Sequence, residues 1–162
     1  MTADPRLIDT VVLVHAYTVS DDEKHRVALA LTERIWGGDE ATTTLQNLCE
    51  FFSVVTRKVE KPISASAAET IVQGILAATQ WTVIDRSSET VSKAIELVKR
   101  HHIPFWDALI TACMLENGIH TIVTENERDF KRIPGITVIN PDRKSTRLNS
   151  SHIQKSRMPS SA

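Results

Sequence analysis

The sequence predicts an α/β fold, a three-layer sandwich in which a central parallel sheet of about five strands lies between two layers of helices. Two observations predict it. Short β-branched runs alternate along the chain with segments whose apolar residues recur at helical spacing, a pattern typical of a parallel sheet with crossover helices. The length of 162 residues is enough for one domain and too short for two ordinary ones.

The predicted strands are short and apolar. The first, residues 6–9, ends at Asp9, and the local pattern would extend it through the β-branched residues of 11–17. The other four strands are expected at residues 41–44, 81–85, 120–124 and 136–140.

Five helices are expected between these strands, at residues 21–38, 45–58, 64–79, 87–102 and 105–118. Their ends carry the usual signals: a glycine pair stops the first, Ser64 caps the third, and Pro104 stands where a helix start tolerates proline. In the second helix, we expect one face to be formed by Leu45, Leu48, Cys49, Phe52 and Val55.

Charge divides the chain into two parts. Residues 1–141 carry 14 Lys and Arg against 19 Asp and Glu, whereas residues 142–162 carry five basic residues and one acid. The second part is poor in large apolar residues, so we expect a disordered tail after a domain spanning 1–141. Its sequence DRKSTRLNSSH matches the translation of a string resembling a common DNA-sequencing adapter, so we interpret the tail as an artefact.

The remaining composition points to a cytoplasmic protein. Cys49 and Cys113 both lie in apolar helical patterns, so we expect small buried residues in a reducing compartment and no disulfide framework. The N-terminus lacks the order of a signal peptide, and no apolar run reaches the roughly 18 residues of a membrane helix.

Four acids stand at positions that a solvated surface would not predict. Asp9 ends the first strand, Glu50 lies among apolar residues of the second helix, Asp107 follows Pro-Phe-Trp, and Asp129 follows the fourth strand. Each alone has an ordinary explanation, such as a helix cap or a solvated carboxylate. Acids in apolar surroundings are usually paired or bound to a cation, and carboxylate oxygens suit Mg²⁺ or Mn²⁺.

These segments resemble the PIN-domain ribonuclease family, of the kind found in VapC-type toxins of toxin–antitoxin pairs. The resemblance runs from about Leu7 to Pro141 through LIDTVVLVHAY, LQNLCEFFSVVTRKV, IPFWDALITACMLENG, TIVTENERDF and GITVINP. It implies that residues 12–17 are helical despite their local pattern. It also implies that the catalytic, metal-binding acids are Asp9, Glu50, Asp107 and Asp129, with Thr124 and Asn126 in a supporting polar turn.

The sequence departs from the family at two positions. Val11 stands where the family often has asparagine, which removes a polar group beside the first acid. The turn after the fourth strand reads T-E-N where some relatives have T-E-D, so Glu125 is an alternative to Asp129 as the fourth ligand.

The resemblance implies a metal-dependent endoribonuclease that uses Mg²⁺ or Mn²⁺ and leaves a 5′-phosphate and a 3′-hydroxyl. It also implies an antitoxin partner and a homodimer. Because residues 1–141 are acidic, RNA would need local positive charge. Two clusters offer it, Arg57, Lys58 and Lys61 after the second helix and Arg128, Lys131 and Arg132 beside Asp129, although each also fits a solvated surface.

Rival functions depend on the turn after the first strand. A haloacid-dehalogenase-type phosphatase would have Asp-x-Asp there, and a dinucleotide-binding domain would have a glycine-rich turn; residues 9–20 contain neither. The remaining alternative is a non-catalytic PIN-like scaffold that binds RNA or a protein partner. Val11 favours it, and the presence of all four acids counts against it.

Overall fold

The computed structural model describes residues 4–20 and 22–143. The strands there are β1 (Arg6–Ile8), β2 (Ala41–Thr44), β3 (Trp81–Ile84), β4 (Thr121–Val123) and β5 (Thr137–Ile139). The helices are α1 (Thr10–Tyr17), α2 (Glu23–Trp36), α3 (Leu45–Arg57), α4 (Ala65–Ala77), α5 (Ser88–His101), α6 (Phe105–Glu116) and α7 (Glu127–Phe130). Apart from its first two residues, the predicted tail 142–162 lies outside the described residues.

The five strands form one sheet in the order β3-β2-β1-β4-β5, and every neighbouring pair is parallel. The predicted α/β class and strand number are therefore confirmed. The chain first builds outward from β1 through β2 to β3, then crosses to the other side of β1 for β4 and β5. The connections that follow β1 and β4 therefore lead towards opposite edges of the sheet. In open α/β sheets, ligands bind at the carboxyl ends of neighbouring strands whose connections diverge in this way.

Helices cover both faces of the sheet. Ile8 and Val123 belong to one apolar cluster, which includes buried residues of α1, α2, α3 and α4. Their strand neighbours Leu7 and Ile122 belong to a second cluster with buried residues of α6 and α7. Because successive strand residues point to opposite faces, this alternation establishes the predicted three layers.

The segment after Asp9 is helical, as the family resemblance implied, and the extended strand suggested by the local pattern is wrong. Asp9 caps α1: its carboxylate accepts from the Thr10 backbone N–H at 2.8 Å, and its own N–H donates to the Val123 carbonyl at 3.0 Å. Four residues of the eight-residue helix are buried, so packing overrides the β propensity of the valines.

The predicted core face of α3 is only partly correct. Leu48 and Val55 are buried, together with Phe51, whereas Cys49 is exposed, and Leu45 and Phe52 are 37% and 39% exposed. The physical reason is that the helix also buries Gln46 and Asn47 in its first turn. An apolar pattern cannot include these polar residues, so it misjudges the orientation of the helix.

The other predicted elements are confirmed, with small shifts in their ends. Ser64 caps α4, and Pro104 immediately precedes α6. The short helix α7 was not expected from the sequence. In the part of the chain that the structure describes, no helix combines the length and the apolar character needed to cross a membrane.

Candidate active site

Asp9 lies at the carboxyl end of β1 and is held by three donors. Besides the Thr10 N–H, its Oδ1 accepts from the Asn47 amide at 3.0 Å, and its Oδ2 accepts from the Thr124 hydroxyl at 2.6 Å. Burial raises the pKa of Asp9 above its usual value, and the three hydrogen bonds partly oppose that rise. The carboxylate is therefore fixed in orientation at a site where its charge is costly.

Asn47 reaches Asp9 because it is locked into the start of α3. Its backbone N–H donates to the Thr44 hydroxyl at 2.9 Å, and its side-chain oxygen accepts from that residue's backbone N–H, which forms a capping box. Its amide also donates to the Thr10 hydroxyl at 2.9 Å. This arrangement supplies an amide to Asp9 even though position 11 is a valine, which packs against the apolar cluster of α1 to α4.

Asp107 and Asp129 share one donor. The Asn126 amide nitrogen donates to Asp107 Oδ2 at 3.0 Å and to Asp129 Oδ2 at 3.1 Å. Asn126 is in turn held by its backbone N–H, which donates to the Thr124 hydroxyl at 3.0 Å. The turn after β4 therefore connects three of the four predicted acids, because Thr124 also contacts Asp9.

Glu50 is exposed on α3 and is connected to the N-terminus of α6. The amide nitrogen of Gln46 donates to Glu50 Oε1 at 2.9 Å and to the carbonyl of Trp106 at 3.3 Å. Since Trp106 precedes Asp107, the Gln46 amide joins α3, which carries Glu50, to α6, which carries Asp107.

The four acids interact electrostatically. The pKa of Asp107 rises to about 6, chiefly through burial and then through the negative charges of Asp9 and Asp129; Glu50 adds to the rise, and the Asn126 hydrogen bond opposes it. Four carboxylates that are distant along the chain therefore lie close enough for their charges to affect one group. A divalent cation would relieve this repulsion.

Glu125 is engaged with residues outside the acidic group, which consists of Asp9, Glu50, Asp107 and Asp129. Its carboxylate lies 2.8 Å from His15 Nε2 and 3.0 Å from Lys24 Nζ, which join the turn to α1 and α2. Asp129, by contrast, is 6% exposed and shares Asn126 with Asp107. The geometry therefore favours Asp129 over Glu125 as a member of the acidic group.

The basic residues differ in their exposure and in whether they are already engaged in contacts. Arg57 and Lys58 are exposed at the end of α3. Arg128 has 82% of its side chain exposed, and its Nε lies 3.5 Å from Asp129 Oδ1. Lys131 is paired with Glu127 at 2.7 Å. Arg132 of the second cluster donates to the His102 carbonyl at 2.8 Å, so it is engaged in a structural contact.

Comparison with known protein families decides the family. The family model described as the PIN domain matches residues 6–136, which is most of the chain. The chain belongs to the PIN domain family.

Solved structures share the fold at low sequence identity. A toxin–antitoxin complex from Klebsiella pneumoniae matches with a TM-score of 0.60 at 20% identity, covering 84% of this chain and 97% of that one. VapC20 of Mycobacterium tuberculosis, a toxin that cleaves the sarcin–ricin loop, gives a TM-score of 0.60 at 21% identity, covering 78% and 92%. VapBC2 of Rickettsia felis, bound to a promoter DNA fragment, gives 0.59 at 20%, covering 83% and 96%. No curated protein matches significantly.

The acidic group of this PIN domain fits a hard divalent cation by its donor chemistry. It offers carboxylate oxygens, and the mutual repulsion at Asp107 would be relieved by positive charge. Among residues 4–20 and 22–143, however, no three Asp, Glu, His or Cys side chains are grouped so that they could hold a metal ion as they stand. Asp107 and Asp129 are instead joined through Asn126, which donates to one oxygen of each carboxylate, so the other oxygen of each would be the ligand for a cation.

Sequence reasoning missed the amides of Gln46 and Asn47. Both are buried, and they orient Glu50 and Asp9 respectively. A signal for Asn47 was present: a threonine at a strand end followed three residues later by a side chain that can accept a hydrogen bond resembles a capping box. No comparable pattern identifies Gln46, because its partners come from the same helix and from α6.

Proposed function

We propose that this PIN domain is a metal-dependent endoribonuclease that hydrolyses phosphodiester bonds in RNA, with Asp9, Glu50, Asp107 and Asp129 as its catalytic, metal-binding acids. The observation that supports this most directly is that Asp107, which shares the Asn126 amide with Asp129, has its pKa raised to about 6, chiefly by burial and further by the charges of the other three acids. A folded protein gains no stability from such repulsion, and perturbed acids of this kind are common at functional sites.

The chain's own residues would orient the reacting groups. Asp9 is fixed by Asn47 and Thr124, and Glu50 is fixed by Gln46, so both would present carboxylates of defined direction. Asn126 would orient Asp107 and Asp129 through its amide, and it would contact a water or a phosphate oxygen beside them. When bound, Mg²⁺ or Mn²⁺ supplies a Lewis acid for the phosphate and a water of lowered pKa. The products would be a 5′-phosphate and a 3′-hydroxyl.

RNA would be held by positive charge outside the acidic group. Arg57 follows Glu50 by seven residues on α3, which places it two turns along the same helix face, about 10 Å further. Arg128 adjoins Asp129 and is well exposed. Lys58 is a weaker candidate at the helix end, and Lys131 would first have to leave Glu127.

We further propose that the chain is the toxin of a toxin–antitoxin pair and forms a homodimer. The similar folds of the Klebsiella pneumoniae toxin–antitoxin complex and of the Rickettsia felis VapBC2 proteins support the antitoxin partner. An antitoxin segment with a basic side chain would enter the acidic group and compete with the cation. A short reading frame beside the gene, encoding a DNA-binding pattern, would be the expected source of that partner.

The decisive test is cleavage of single-stranded RNA by the purified protein with Mg²⁺ or Mn²⁺, compared with the Asp9→Asn variant. We expect cleavage by the wild type that EDTA abolishes and that falls at least a hundredfold in the variant. Undiminished activity in the variant would exclude this assignment of ligands. Manganese titration by calorimetry gives a second readout, since the variant should lose binding as well as activity.

A non-catalytic PIN scaffold is the second candidate. The observation that favours it is that the described residues contain no ready group of three metal ligands. A scaffold would bind RNA or a protein partner with the same affinity in EDTA and in Mn²⁺, and it would cut nothing. The cleavage and titration experiments therefore separate the two functions directly.

A further inference from the structure

Trp106 is an exposed aromatic residue that immediately precedes Asp107 of the acidic group. Its side chain is 59% exposed, more than that of any other aromatic residue in the described part of the chain. It stands directly before Asp107, at the first turn of α6. An indole left in water contributes little to folding, so its exposure suggests a contact that the isolated chain does not make.

The surroundings of Trp106 restrain it. The ring of Phe105 meets the indole at 70°, with centroids 5.3 Å apart. The Trp106 carbonyl accepts from the Gln46 amide, which also donates to Glu50. The backbone of this residue is therefore tied between the elements that carry Glu50 and Asp107.

The proposed phosphate-binding residues Arg57 and Arg128 lie outside the acidic group, and the acids themselves repel a polyanion. Beside the acids, RNA would therefore gain from attraction that does not depend on charge. An aromatic side chain supplies it by stacking on an unpaired base, a contact available to every base. The neighbours of Trp106 in the sequence are Phe105, whose ring contacts the indole, and the acid Asp107. An aromatic pair next to a proposed metal-binding acid suits a nucleotide, because its base has apolar faces and its phosphate would bind the metal.

We propose that the indole of Trp106 binds an unpaired base of the RNA next to the phosphate that is cut. This inference rests on the proposed ribonuclease function and adds a base-binding position to it. The ligand is a single-stranded nucleotide, because a base within a duplex has both faces covered. Trp106 is a positioning residue for the substrate, and the acids retain the chemistry.

The test uses a short, fluorescently labelled single-stranded RNA that the wild type cuts, together with a series in which each base in turn is replaced by an abasic site. Binding is measured in the uncleaving Asp9→Asn background. Trp106→Ala should weaken binding roughly 5- to 150-fold, as expected for one lost stack, and Trp106→Tyr should restore most of it. One abasic position near the cut should weaken binding to the Trp106 protein and have no effect on the Trp106→Ala protein.

Two controls separate stacking from other roles. Phe52→Ala removes another exposed aromatic, which lines the groove between α3 and α4, and should leave binding unchanged. The slope of affinity against salt should be the same with and without Trp106, because stacking releases no counterions.

Each adverse outcome has a distinct meaning. If the wild type cuts RNA but Trp106→Ala shows the same affinity and the same abasic profile, the stacking role is wrong and the ribonuclease function stands. A change of Trp106→Ala from dimer to monomer in sedimentation, with an unchanged abasic profile, would assign the residue to a protein interface instead. If the wild type neither binds nor cuts any RNA, both proposals fail.

Discussion

The Thr124 hydroxyl donates a hydrogen bond of 2.6 Å to the Oδ2 atom of Asp9, joining residues 115 positions apart in the sequence. The two residues directly follow β1 and β4, which are neighbours in the sheet. The same hydroxyl accepts from the Asn126 backbone N–H at 3.0 Å. The fully buried Thr124 thus links Asp9, at the end of β1, to the turn whose Asn126 amide holds Asp129.

Replacing this hydroxyl should damage both stability and activity. Thr124→Val keeps the shape but leaves a buried carboxylate oxygen and a backbone N–H without their partner, which should cost about 1–3 kcal/mol of unfolding free energy. Thr124→Ser keeps the hydroxyl and should retain most activity. Urea unfolding and RNA cleavage are measured for both variants and for the wild type. A Thr124→Val variant with wild-type Mn²⁺ affinity would show that Thr124 does not orient Asp9.

The pH dependence of stability should carry the signature of Asp107. Its pKa rises from 3.8 in the unfolded reference to about 6 in the folded protein, so the folded state holds the proton over that range. Stability should therefore fall as pH rises from about 4 to about 6, measured by urea unfolding in EDTA. Asp107→Asn should remove this contribution, be more stable than the wild type at pH 7, and fail to cut RNA.

A surface acid provides the matched control for that profile. Asp39→Asn breaks an exposed pair with Arg34 at 3.0 Å, far along the chain from the acidic group, and should leave the pH profile unchanged. An Asp107→Asn protein that keeps the wild-type slope between pH 4 and pH 6 would contradict the raised pKa of Asp107.

Metal-dependent stabilisation should distinguish Asp129 from Glu125. A ligand at one hundred times its Kd raises the unfolding free energy by about 2.7 kcal/mol, so Mn²⁺ should raise the wild-type Tm by several degrees. Asp129→Asn should lose most of this shift. Glu125→Gln should keep it, because Glu125 is engaged with His15 and Lys24. The reverse result would make Glu125 the fourth ligand.

Binding of RNA should depend on Arg57 and Arg128 through charge alone. Each alanine substitution should weaken binding similarly for all sequences and reduce the salt slope by about 0.7 for each phosphate contact to single-stranded RNA. Arg34→Ala, which removes an exposed arginine paired with Asp39, is the matched control. Slopes that stay the same in all three variants would remove both arginines from the RNA surface.

The sequence was sufficient for the sheet, and it predicted four acids that the structure brings close enough to interact electrostatically. It was insufficient for the contacts that hold these acids. Strands and long helices follow from periodicity, which is set by the burial of one face. The secondary structure of residues 11–17 was ambiguous, because their valines favour a strand locally whereas packing against α2 and α3 favours the helix that forms. The orientation of α3 could not be predicted from its apolar residues, because the polar residue Asn47 lies on the buried face, where it donates a hydrogen bond to Asp9.

The choice between Asp129 and Glu125 was also beyond the sequence. Both follow β4 within a few residues, and only the three-dimensional positions of His15, Lys24 and Asn126 distinguish them. Helix α7, which carries Asp129, is a single turn of four residues and has no periodicity to detect. The choice depends on contacts between segments that are distant in the sequence, and a single sequence does not show those contacts.

The order in which the elements appear has a consequence for synthesis. A nascent chain that stops before β4 has Asp9, Glu50 and Asp107 but neither Thr124 nor Asn126, the residues that link Asp9, Asp107 and Asp129. Domains emerge from the ribosome from their N-terminus, so the assembled centre would arise only after β4 and α7 have been made. For an enzyme proposed to attack RNA, growing chains would be harmless to the ribosome that makes them until β4 and α7 have emerged.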